Sequence, residues 1–191
     1  MKIQKFSHLF SDKLFNDIFS NSQLYEKDSF YYIDPLTLSY DQSKLTTKTF
    51  VEKAALIKEM YNLGSTIIVK NLESFNPTIV NKCNELGDVI NLHMYLCKDD
   101  GSVSFDFHSD DSDVLIHLLY GSKKFELKEE GVIKSITLSA GDEIFIKKGT
   151  SHRAISLSAS CLLSFGFSES SFYVPGGLNF LDCFPVLEKP I

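Results

Sequence analysis

The sequence predicts a mostly β protein with N-terminal helices, its strands closed into a double-stranded β-helix, or jelly-roll, barrel. Three observations lead there. From Val89 onward the chain breaks into many short β-prone segments separated by Gly, Asp and Ser turns, the pattern of a barrel or jelly roll. Before Val89 the apolar residues recur at helical spacing over three stretches. The 191 residues, 43% hydrophobic and 23% charged, have ordinary globular composition and suffice for one core. We therefore expect a single domain over 1–191: a helical and strand flank at 1–88, a barrel core at 89–170 and an irregular tail at 171–191.

Taken in order, residues 7–20 place Leu9, Phe10, Leu14, Phe15, Ile18 and Phe19 on one helical face, with Ser11 or Asp12 as the cap. This stripe is read as core packing. Residues 29–33 form a short strand that Asp34-Pro35 ends. A second helix runs from Thr49 to Tyr61, with Phe50, Ala54, Ile57 and Tyr61 on one face and Gly64 closing it. The β-branched stretch 65–69 is a buried strand. A third helix, Pro77 to Leu86, has proline in its first turn and Gly87 as its stop. The barrel strands follow at 89–97, 113–120, 123–128, 132–138, 143–147 and 161–167, while 103–107 alternates and leads into His108.

The charge balance excludes some functions. The net charge is −6, and Arg153 is the single arginine. A nucleic-acid reader needs a basic face, so no nucleic-acid partner is expected. Cys83, Cys97, Cys161 and Cys183 form no C-x-x-C pair and read as buried thiols of a reducing compartment. No apolar run reaches membrane-spanning length, and the N-terminus lacks an apolar signal core. The expectation is a soluble, cytoplasmic protein without a membrane partner.

The chemistry concentrates in F-D-F-H-S-D-D-S-D-V-L-I-H-L-L-Y-G-S-K-K-F, residues 105–125, and in L-S-A-G-D-E-I-F-I-K-K-G-T-S-H, which ends at His152. His108 and Asp110 are two apart, and on a strand that spacing puts both side chains on one face. Two imidazoles and one carboxylate are the ligands of the facial triad of non-haem Fe(II) oxygenases, which leaves positions open for reaction. A lone histidine is more often a surface or core residue, so the metal reading rests on the set His108, Asp110 and His152.

These two segments resemble the signature of the JmjC-type cupin oxygenases, in particular the ribosomal oxygenase branch. There, His-x-Asp is followed by a D-V-F-type strand and a G-x-K/R-x-W/F turn, and then by L-x-P-G-D-x-x-Y-I-P-x-G-x-x-H. The likeness covers most of residues 60–167. It implies Fe(II) and the cosubstrate 2-oxoglutarate, with His108, Asp110 and His152 as the iron ligands and catalytic centre. It also implies Lys123 as the cation holding the distal carboxylate of 2-oxoglutarate. The alternative is that Lys123 or Lys124 is merely a solvated hairpin charge. Tyr95 and Ser164 match polar residues lining the cosubstrate pocket, and Asn91 or His93 matches an asparagine on the same strand. The chain departs from the pattern at Phe125, where the family has Trp, and at Ala140 and Lys147 or Lys148, where it has Pro. It departs again near His117-Leu118, in place of Gln, and at Cys97, in place of Thr. The accessory dimerisation and winged-helix regions of the ribosomal branch are expected to be absent.

The resemblance therefore implies a hydroxylase acting on an amino-acid, peptide or protein side chain, with homodimerisation left open. Asp106, Asp111 and Asp113 near the triad would favour a cationic substrate group. Two other classes fit the same scaffold: a cupin metalloenzyme that does not use 2-oxoglutarate (an isomerase, hydrolase or other dioxygenase), and a non-catalytic binding module.

Overall fold

The computed structural model describes residues 12–168. Residues 7–11 of the first expected helix, the tail 171–191 and Cys183 lie outside that range. The N-terminal flank begins with α1 (Asp12–Phe19) and α2 (Ser22–Glu26), followed by β1 (Phe30–Ile33) and the short β2 (Tyr40–Asp41). Next come α3 (Phe50–Asn62), β3 (Ile67–Val69) and α4 (Pro77–Leu86). The remaining strands are β4 (Val89–Cys97), β5 (Val114–Tyr120), β6 (Ser122–Glu129), β7 (Val132–Ser139), β8 (Glu143–Ile146), β9 (Ser151–Ser156) and β10 (Ser160–Phe167).

The helix ends follow local chemistry. At α3, Thr49 and Glu52 form a reciprocal capping box, each side chain accepting the other's backbone N–H. At α4, Asn76 accepts from the Ile79 N–H, and Pro77 occupies the first turn, where no N–H is needed. Gly64, just past α3, has a φ of 88°, the left-handed geometry that glycine adopts most readily.

The strands form two sheets, β2-β1-β3-β4-β10-β5-β8 and β7-β6-β9, with antiparallel pairing throughout. A single antiparallel bridge between His108 and His152 adds the 103–108 segment to the free side of β9. With β4 as first strand and that segment as second, the barrel sheets read first-eighth-third-sixth and fifth-fourth-seventh-second. That interleaving is a double-stranded β-helix, the jelly roll expected from the strand spacing. The strands β3, β1 and β2 extend the larger sheet beyond the barrel.

Strand alternation sorts side chains into two cores. On β4 and β10, Leu92, Met94, Leu163, Phe165 and Phe167 face outward, against Ile57, Met60, Ile79, Leu86 and the other helical residues. The opposite face sends Tyr95 and Leu162 into the barrel with Ile116, Leu118, Phe125, Leu138 and Ile144. Each such aliphatic or aromatic side chain contributes about 1.5–3 kcal/mol by leaving water. Among the described residues no helix is long and apolar enough to cross a membrane.

The structure corrects several expectations. The 103–107 stretch is not a strand: it pairs only through a parallel bridge from Val103 to Ser65, and its remaining residues are irregular up to His108. Its place opposite β9 is taken by the one ladder step at His108, so Asp110 sits on a loop rather than on a strand face. The sequence reading also missed α2, β2 and β9. The β9 sequence S-H-R-A-I-S has no clean apolar alternation, because its inward face carries polar residues of the pocket.

Gly121 shows how tightly the β5–β6 turn is packed. Its φ is 81°, and a Cβ there would lie 2.0 Å from the Ala159 carbonyl oxygen. Gly121→Ala should therefore cost more than about 2 kcal/mol, from backbone strain plus overpacking. Gly131 has a similar φ of 83°, yet nothing lies within 4 Å of its would-be Cβ, so Gly131→Ala should cost only about 1 kcal/mol. Urea unfolding midpoints measure both, and equal losses would refute the role of the Ala159 contact.

Candidate metal centre

His108 and His152 are held to each other by their own main chains. The His108 N–H donates to the His152 carbonyl at 3.0 Å, and the His152 N–H donates to the His108 carbonyl at 2.8 Å. Their rings consequently stand side by side, with centroids 4.5 Å apart. Asp110 approaches from the loop, where its carbonyl accepts from the Gly149 N–H at 3.0 Å. One ligand atom from each of His108, Asp110 and His152 falls within 4.8 Å of the others, close enough to hold one metal ion.

The tautomers suit that task. Nδ1 of His108 lies 2.9 Å from the Asp106 carbonyl, and Nδ1 of His152 lies 2.9 Å from the Thr150 carbonyl. A carbonyl oxygen only accepts, so both Nδ1 atoms carry the proton and both Nε2 lone pairs are left for a ligand. His152 Nε2 faces Asp110 Oδ2 at 3.6 Å. Burial is the main force that pushes the His152 pKa below its ordinary value, and His108 adds to it, against the opposing effects of Thr150 and Asp110. The imidazole is thus kept neutral, as ligation requires. Two imidazole nitrogens and one carboxylate oxygen form a donor set suited to ferrous iron.

The pocket beside these three residues is lined in part by Lys123, Tyr95 and Ser164, with Ile116, Phe125 and Leu162 as its apolar wall. Strand alternation decides between the two lysines. Lys123 points inward with Phe125 and is 1% exposed. Lys124 points outward and pairs with Glu126 at 2.8 Å. Lys123 Nζ donates to Ser156 Oγ at 2.9 Å and to Cys97 Sγ at 3.1 Å. Among the described residues no carboxylate lies within ion-pairing distance of it.

Asn91, His93 and Tyr95 alternate along the inner face of β4. Tyr95 lines the pocket, and Ser164, which also lines it, pairs with His93 in register. Asn91 is not among the lining residues. Its side-chain atoms lie within 2.8 Å of where a Cβ on Gly166 would be. Sequence reasoning did not find Thr66 or Ser156. Thr66 lines the pocket and its Oγ1 lies 3.1 Å from Cys97 Sγ. Thr66 directly precedes β3 and Ser156 ends β9; both are small polar residues with no motif to mark them.

No family model matches the sequence, and no curated protein matches it significantly. Solved structures do resemble it. The Escherichia coli ribosomal oxygenase YcfD, in complex with cobalt and 2-oxoglutarate, aligns at 19% identity and a TM-score of 0.47, over 55% of this chain and 32% of that one. Hydroxypropylphosphonic acid epoxidase from S. wedmorenis, in complex with fosfomycin, aligns at 14% identity and a TM-score of 0.36, over 40% of this chain and 43% of that one. Bacillus subtilis oxalate decarboxylase aligns at 18% identity and a TM-score of 0.40, over 57% of this chain and 28% of that one. The match spans less than half the length of each. All three TM-scores are below 0.5, so the fold assignment rests on the strand order given above.

Proposed function

We propose that the protein is an Fe(II)- and 2-oxoglutarate-dependent oxygenase that hydroxylates an amino-acid, peptide or protein side chain. The observation carrying this reading is Lys123. A fully buried ammonium with only a hydroxyl and a thiol as partners is costly, and a carboxylate arriving in the same pocket supplies the missing anion. A metalloenzyme that needed only the triad would have no use for such a cation.

In this reading His108, Asp110 and His152 hold the metal through two Nε2 atoms and one carboxylate. A bound ferrous ion supplies the redox chemistry by which dioxygen oxidises both 2-oxoglutarate and the substrate. The carbonyls of Asp106 and Thr150 keep the imidazoles oriented. Lys123 anchors the distal carboxylate of 2-oxoglutarate, with Ser156 holding the ammonium in place. Ser164 and the Tyr95 hydroxyl offer further hydrogen bonds along the pocket wall. Burial raises the Tyr95 phenol well above its usual pKa, so it stays protonated and able to donate. Ile116, Phe125 and Leu162 exclude water and strengthen each of these polar contacts.

Anaerobic titration should give about one Fe(II) per chain, and 2-oxoglutarate should then bind the iron-loaded protein. With oxygen, succinate release should be stimulated by a subset of amino acids, peptides or proteins supplied separately. Metal binding without any 2-oxoglutarate binding would move the protein to the cupin metalloenzymes of other classes. Binding of neither would leave a non-catalytic module.

A further inference from the structure

Outside the pocket that holds Lys123, the inner face of the larger sheet carries a second cation. Val69 on β3 pairs with Met94 on β4, so the next step of the antiparallel register brings Lys70 beside His93. Lys70 is half-buried. Its Nζ lies 3.6 Å from the ring centroid of Tyr40 and 4.3 Å from that of Tyr31. Among the described residues no carboxylate lies within ion-pairing distance of it. Aromatic faces hold an ammonium in place but take none of its N–H groups through a lone pair. Burial pushes the Lys70 pKa below the ordinary lysine value. Burial, and then Lys70 itself, push His93 down to about 4, so His93 is neutral.

This cation is joined to the metal centre by a continuous aromatic wall. The Tyr40 hydroxyl lies 3.2 Å from that of Tyr95. The Tyr40 ring packs edge-on against Phe105, with centroids 4.6 Å apart, and Phe105 lies 5.0 Å from the His108 ring. Two of the acidic groups that pointed to a cationic substrate are already engaged. Asp106 accepts from Arg153 Nη1 at 3.4 Å, and Asp113 accepts from the Lys148 N–H at 2.7 Å.

We propose that Lys70 and His93 receive a carboxylate of the primary substrate, whose apolar body lies along Tyr40 and Phe105 and reaches the His108–Asp110–His152 centre. The substrate is then a carboxylic acid with an apolar chain, such as an N-acylated amino acid or a peptide C-terminus. The inference rests on the oxygenase reading for the identity of that substrate, but the carboxylate site is testable by itself.

The test uses zinc-loaded protein with N-oxalylglycine, an inert analogue of 2-oxoglutarate, titrated calorimetrically with N-acetyl-L-leucine or N-acetyl-L-leucinamide. The acid should bind at least about tenfold tighter than the amide, a loss typical of removing a charged hydrogen-bonding partner. Lys70→Met should erase that preference while leaving N-oxalylglycine affinity unchanged, which also reports that the variant is folded. Lys70→Arg should retain the preference. Equal binding of acid and amide, binding of neither, or a preference that survives Lys70→Met would each overturn the proposal. If N-oxalylglycine itself does not bind, the oxygenase reading fails, and the acid–amide comparison is then made on the zinc-loaded protein alone with the same outcomes.

Discussion

Lys123→Met should weaken 2-oxoglutarate binding by a factor of roughly 10²–10⁴. That corresponds to the cost of about 3–5 kcal/mol usually seen when one member of a buried ion pair is removed. The same substitution should leave the unliganded protein as stable as before, or more stable. Without 2-oxoglutarate, Lys123 is a buried cation that meets only Ser156 and Cys97, and an apolar side chain of similar length removes the desolvation cost. A hydroxyl and a thiol lose a partner in exchange, although Cys97 keeps Thr66. Two measurements check this: calorimetry of 2-oxoglutarate on the iron-loaded variant under anaerobic conditions, and the melting temperature of the metal-free variant. Opposite signs are expected for ligand affinity and apo stability. If Lys123→Met melts early yet binds 2-oxoglutarate normally, the lysine is a structural strut and the oxygenase reading loses its main support.

The second large effect concerns the three candidate ligands, His108, Asp110 and His152. His152→Ala should abolish turnover and lower Fe(II) affinity by more than about 100-fold, which is the upper end for losing merely a residue that orients a ligand. Metal that binds the folded state alone also stabilises it, by about 2.7 kcal/mol at a free concentration of 100 times Kd. Chelation should therefore lower the melting temperature of the wild type and leave that of His152→Ala unchanged. Asp110→Ala should behave similarly, with less disturbance to the apo fold, because its side chain is 37% exposed whereas that of His152 is 5% exposed. A triple alanine variant that still binds one Fe(II) per chain would place the metal elsewhere.

Much of this architecture was legible in the sequence because its signals were local. Pro77 and Gly87 bracket α4 at both ends, and the apolar run from Val89 to Cys97 is β4 itself. Lys123 could be separated from Lys124 only as a matter of strand phase. That phase becomes certain once Phe125, two residues on, is seen inside the barrel. What the sequence hid was non-local. His108 and Asp110 look like a strand pair, yet His108 is fixed by one ladder step to His152, forty-four residues away, and Asp110 by the Gly149 N–H. No spacing rule encodes those contacts. Ser156 and Thr66 were equally invisible, since a small hydroxyl residue at or beside the end of a short strand has no periodic signature. The Lys70–Tyr31–Tyr40 cluster depended on β2, a two-residue strand too short to be read from pattern.

The main-chain ladder between His108 and His152 has a kinetic consequence. The two backbone hydrogen bonds fix the histidine main chains, and the Nδ1 contacts with the Asp106 and Thr150 carbonyls fix the rings, so the histidines form a half-site already arranged to receive an ion. Asp110 would be the more mobile candidate ligand: its main chain is held by the Gly149 N–H, but its side chain is 37% exposed. Metal exchange should then follow a fixed order. The two Nε2 atoms would then receive an incoming ion first, with the Asp110 carboxylate closing the site. The lifetime of a bound metal would then follow the motion of the Asp110 loop, a rate that rapid-mixing chelation reads directly.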